Sequence, residues 1–95
     1  MEIVFKKVDY FGRPVFIADG CNCYLCDTDN LFNWDVTEKL VMEFYKQHPD
    51  ALQRLTTKHG SEGEPTGYTV PEKVELISKK EYIKRHKNYE SVQRI

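Results

Sequence analysis

Glu2-Ile3-Val4-Phe5-Lys6-Lys7-Val8-Asp9-Tyr10-Phe11-Gly12-Arg13-Pro14-Val15-Phe16-Ile17-Ala18 opens the chain. Residues 2–11 are rich in β-branched and aromatic types, which suit a pleated, half-buried surface and favour a strand. Gly12-Arg13-Pro14 interrupts the run, because Gly admits positive φ and Pro cannot donate to a ladder. Val15 to Ala18 then reads as the returning strand of a hairpin. Asp19-Gly20 is a turn signal, and residues 22–26 make a short third strand.

Beyond the hairpin the period changes. Asp27-Thr28-Asp29-Asn30 is turn chemistry, followed by an apolar knot of Leu31, Phe32 and Trp34. Asp35, with Glu38 three residues on, has the pattern of a capping box. Val36, Leu40, Val41 and Phe44 recur at helical spacing and predict a helix over 36–47. Pro49 ends that helix and suits the first turn of a second one over 50–57, with Leu52 and Leu55 facing inward. Residues 61–67 hold two Gly, one Pro and no apolar residue, which marks a loop. Strand character returns over 68–70 and 74–77, with Pro71 between them assigning this part to an edge or a bulge. Ser78 and Glu81 form a second capping box, and a basic C-terminal helix follows from Lys79. The expected fold is α+β: a small antiparallel or mixed sheet led by the hairpin, with two or three helices on one face. Phe5, Val15, Ile17, Leu40, Val41 and Phe44 are the expected core.

Ninety-five residues fit a single domain, 1–95. With 40% apolar and 31% charged residues, the chain is globular rather than disordered. No apolar run reaches the length of a membrane span, and the N-terminus lacks the basic-then-apolar layout of a signal peptide. A cytoplasmic location is expected, with reduced cysteines. Net charge is −1 but unevenly spread. Residues 79–95 carry six Lys/Arg against Glu81 and Glu90, a net of +4, which leaves −5 for the first 78. A balanced total argues against bulk electrostatic binding to DNA.

All three cysteines fall within six residues: Cys21, Cys23 and Cys26. Thiolates this close could hold a soft metal, but structural zinc wants four ligands. Only one half-site exists here, and His48 or His59 could supply the fourth ligand. On a strand Cys21 and Cys23 share a face and Cys26 points to the other, so the packing reading ranks above a metal-stabilised domain. No metal and no cofactor are expected. Asp27-x-Asp29 with Asp35 and Glu38 has part of a calcium-loop spacing, but Leu31 and Phe32 stand where that loop needs a ligand and a glycine. Catalytic motifs are missing: there is no Gly-x-Ser-x-Gly, no phosphate-binding loop and no His-Glu-x-x-His. Glu62 and Glu64 flank Gly63 and could pair as acid and base, although exposed loop glutamates are ordinarily just solvated. A non-enzymatic role is expected.

Two charged surfaces compete for a binding role. Asp19 to Glu43 holds six acids against Lys39 alone. Capping and the helix dipole explain Asp35 and Glu38, which leaves Asp19, Asp27, Asp29 and Glu43 as candidate contacts for a basic partner protein. The alternative is nucleic-acid binding through Lys79, Lys80, Lys84, Arg85 and Lys87, interleaved with Tyr82 and Tyr89.

Val8-Asp9-Tyr10-Phe11-Gly12-Arg13-Pro14-Val15-Phe16 resembles the opening hairpin of small bacterial proteins encoded by phages and mobile elements, in which an aromatic, Arg-Pro-Val and another aromatic recur. Glu62-Gly63-Glu64-Pro65 resembles a later segment of the same proteins. The resemblance covers about a fifth of the chain. It implies an accessory protein of such an element. By analogy with other proteins of that size, it implies an inhibitor of a host factor such as a nuclease-based defence system. A protein-binding module that works by occupying its partner is therefore the expected function.

Overall fold

A computed structural model of the 95-residue chain describes residues 1–18 and 23–85. Six strands and three helices follow in the order β1 Glu2–Val8, β2 Pro14–Ala18, β3 Cys23–Cys26, α1 Glu38–Gln47, α2 Pro49–Leu52, β4 Thr56–Lys58, β5 Pro65–Thr69, β6 Glu75–Leu76, α3 Lys79–Arg85. They build one mixed sheet, ordered β5-β4-β3-β2-β1-β6. Every pairing is antiparallel except β1 with β6. The α+β class, the leading hairpin and the mixed sheet follow the reading of the sequence.

Strand alternation sorts the side chains onto two faces. Phe5, Phe16 and Leu25 stand in register across β1, β2 and β3. With Ile3 and Ala18 they pack against Val41 and Tyr45 of α1 and Ala51 and Leu52 of α2. Val4, Ile17 and Tyr24 form the neighbouring row on the opposite face, covered by Tyr82 of α3 and by Ile77 just before that helix. Two helices thus share one face and the third covers the other. That is why both rows of β2 are buried, from Pro14 to Ala18. Full burial of each such aliphatic or aromatic side chain contributes about 1.5–3 kcal/mol.

Register in β1 shifts between Phe5 and Lys7. The extra residue, Lys6, reverses the alternation, so Phe5 and Val8 reach the same core cluster although three positions apart. Strand β1 ends at Val8, earlier than strand propensity suggests. Tyr10, Phe11 and Gly12 form the hairpin loop, with Gly12 at φ 86°. This is the three-residue loop whose last position needs a left-handed residue.

Several local expectations change. The helix expected over 36–47 begins at Glu38, and its cap is Thr37, whose Oγ1 accepts the Leu40 N–H at 3.2 Å. Asp35 is not the cap. Leu40 is exposed, and Phe44 is half-buried rather than central. The helix expected over 50–57 stops at Leu52, and Thr56–Lys58 is strand β4, paired with β3 and β5. β-branched Thr56 and Thr57 take the extended form because two neighbouring strands are there to pair them. At α3, Ser78 Oγ accepts the Glu81 N–H at 3.1 Å, as its capping pattern predicts. No described helix is long and apolar enough to cross a membrane.

Candidate functional site

The hairpin loop is organised around one buried carboxylate. Asp9 Oδ1 accepts the backbone N–H groups of Phe11 and Arg13, both at 2.9 Å. Its Oδ2 takes Arg13 Nε at 2.8 Å and lies 3.3 Å from Lys58 Nζ. Asp9 backbone groups close the loop as well: its N–H donates to Arg13 O and its carbonyl accepts the Gly12 N–H. Asp and Asn favour this self-capped turn because their side chains reach the backbone two residues on.

Burial pushes the Asp9 pKa up. The hydrogen bonds from Arg13, from Lys58 and from the Phe11 N–H outweigh burial and hold it below the ordinary carboxylate range. The Lys58 side chain is fully buried (0% exposed) and also donates to Gly63 O, tying the loop over 59–64 to the hairpin. Gly63 is required there, since a Cβ would fall 1.8 Å from the His59 carbonyl oxygen. One end of the Arg13 guanidinium, Nη2, is buried without a hydrogen-bond partner among the described residues, and the group lies 4.8 Å from the Phe11 ring centroid.

What this buried network presents to solvent is apolar. Tyr10, Phe11, Leu31 and Trp34 are 72%, 59%, 66% and 69% exposed. Tyr10 meets the Phe11 ring edge-on at 5.3 Å and lies 6.2 Å from Trp34. The segment bearing Leu31 and Trp34 is fastened to the hairpin twice: Phe32 N–H donates to Gly12 O at 2.8 Å, and Trp34 Nε1 donates to Asp9 O at 3.0 Å. Phe32 turns inward onto Phe44 and Tyr45, anchoring the segment to α1. The rings are therefore held in place rather than loosely tethered, and they surround a shallow hollow of about 610 Å³. The apolar knot expected from the sequence is thus mostly outside the core.

The acids expected to meet a partner fall into different settings. Asp27 is buried. Its Oδ1 accepts the Asp29 and Asn30 N–H groups, and its Oδ2 accepts Asn30 Nδ2 at 2.9 Å and Tyr45 Oη at 2.6 Å. It braces the loop from inside instead of facing a partner, and burial with this carboxylate raises the Tyr45 pKa. Asp29 is exposed, 3.8 Å from Arg54. Glu43 lies on α1 at the edge of a second hollow of about 630 Å³, floored by Met42, Leu52, Val74 and Leu76. Leu52 and Val74 already serve the core, and both acids and bases line the hollow. Asp19 lies outside the described residues.

On the basic helix, Lys79, Lys80 and Lys84 are exposed. Arg85 is engaged by Glu2 and Glu81, and Glu38 Oε2 accepts the Lys79 N–H at 2.7 Å. Lys87 lies outside the described residues. Cys26 is a buried free thiol whose pKa burial pushes up. Cys23 is in β3, and Cys21 is outside the described residues. Among the described residues no three His, Cys, Asp or Glu side chains gather as metal ligands. Glu62 pairs with Lys7, which holds its carboxyl below the usual range, the wrong direction for a general acid at neutral pH.

Nothing in the sequence reading pointed to the ring cluster. Its signal was Asp9-x-x-Gly12, which sets Tyr10 and Phe11 at the tip of a turn instead of inside a strand. Comparisons with protein families, curated proteins and solved structures find no match to this chain.

Proposed function

We propose that this chain is a non-enzymatic protein-binding module, and that Tyr10, Phe11, Leu31 and Trp34 form its contact surface. The observation that carries the reading is the exposure of four large apolar side chains, of which Tyr10, Phe11 and Trp34 lie around one hollow over the turn that Asp9 holds. Contiguous exposed apolar surface on a small domain is a hallmark of interaction sites, and Trp and Tyr dominate the energetics of protein interfaces. Pinning the rings in advance lowers the ordering cost of association.

The resemblance of residues 8–16 and 62–65 supports a setting for this activity: a cytoplasmic accessory protein of a phage or mobile element that blocks a host factor, such as a nuclease-based defence system. Nucleic-acid binding through α3 ranks behind, because acids already engage Arg85 and the start of that helix.

The test compares two variants as affinity baits in lysate of the native cells, with folding checked by circular dichroism. One is Tyr10→Ser with Leu31→Ser; the other is Lys80→Gln with Lys84→Gln. Proteins retained by the wild type and the lysine variant but lost from the Tyr10/Leu31 variant fit the proposal. Loss from the lysine variant alone would assign function to α3.

A further inference from the structure

Asp35 lost its explanation when α1 took Thr37 as its cap. It is exposed, it makes no ion pair among the described residues, and it stands in the wall of the hollow formed by Tyr10, Phe11, Phe32 and Trp34. Among the described residues it is the only charged one in that wall. Arg13, whose guanidinium lies over the Phe11 ring, is held by Asp9.

Aromatic faces carry partial negative charge and attract cations, and a guanidinium can stack on a ring while it donates to a carboxylate. Phe11 already shows the first of these contacts with Arg13 on one side. We infer that the hollow is a receptor for a cationic side chain, best an arginine, presented by the partner protein. This rests on the protein-binding reading above and adds the chemistry of what is bound. A lone carboxylate among rings repels phosphate, so the charge disfavours a nucleic-acid strand at the same place.

Trp34 is the chain's single tryptophan, so its fluorescence reports directly on the hollow. The full-length protein is titrated with three blocked tripeptides, Gly-Arg-Gly, Gly-Lys-Gly and Gly-norleucine-Gly, and with oligo(dT), at constant ionic strength. A saturable change is expected with the arginine peptide in the millimolar range, since one isolated side chain supplies only a few contacts. The lysine peptide should bind more weakly and the norleucine peptide not measurably. Asp35→Asn, a surface change that leaves the rings in place, should weaken the arginine peptide by about three- to tenfold.

The inference falls if the arginine peptide fails to saturate by about 50 mM. It also falls if norleucine binds as well as arginine, if Asp35→Asn changes nothing, or if oligo(dT) alone perturbs Trp34. Partner capture that still depends on Tyr10 and Leu31 would then leave the protein-binding reading standing without this one.

Discussion

Replacing Asp9 with Ala removes the acceptor for two backbone N–H groups, for Arg13 Nε and for Lys58 Nζ at once. Hydrogen bonds to a charged group contribute about 1.5–3 kcal/mol each, but these share one carboxylate and do not add. The larger penalty is a fully buried Lys58 ammonium left, among the described residues, with the Gly63 carbonyl alone. Breaking one side of a buried ion pair costs about 3–5 kcal/mol, so about 4 kcal/mol is expected here. For a domain of this size that is a large part of the total stability and corresponds to a fall in Tm of about 15–30 °C. Urea unfolding followed by circular dichroism measures it, with Asp29→Ala as the control. That exposed pair with Arg54 should contribute under about 0.5 kcal/mol. Adding Lys58→Met to Asp9→Ala should recover about 1–2 kcal/mol, because it removes the stranded charge. A loss below about 1 kcal/mol in Asp9→Ala, or no recovery in the double variant, would refute the view that Asp9 is the keystone of this turn.

Tyr45→Phe removes the 2.6 Å hydrogen bond to Asp27 from a buried site and should cost about 1–3 kcal/mol in the same assay. Phe44→Ala would cost about 3–5 kcal/mol at a core position; half-buried against Phe32, Tyr45 and His48, it should cost about 1.5–3 kcal/mol. Acid should destabilise the fold through Asp9: its folded pKa is depressed, so its contribution is present above the unfolded value of about 4 and is lost as pH falls through the folded one. A pH series of melting curves checks this, and Asp9→Asn should flatten the curve below about pH 4.

The first three strands were legible because their signals are local and repeated, whereas β5 runs over Pro65–Thr69, partly inside the loop expected over 61–67. The hairpin, the third strand and the capping pattern at Ser78 each follow from neighbouring residues, and the structure keeps all three. Thr56–Lys58 was not legible as a strand, since only β3 and β5 on either side make it one. Asp35 and Thr37 both qualify as caps by residue type; Phe32 packing on Phe44 and Tyr45 fixes where the segment enters α1. The ring cluster was hidden for a related reason. Tyr10 and Phe11 have strand propensity, and only the Asp9 carboxylate, charged and buried beside Lys58 from 49 positions later, turns them outward. Asp27 looked like a surface acid because its partner, Tyr45, lies 18 residues away on another element.

A photocrosslinking benzophenone side chain placed in turn at Tyr10 and at Lys84 would test the assignment of the binding surface most directly. Both positions are exposed, one at the aromatic loop and the other on the basic helix. After irradiation in the native cells, a discrete protein adduct is expected from position 10 and none from position 84. An adduct from position 84 alone, or none from position 10, would contradict the account.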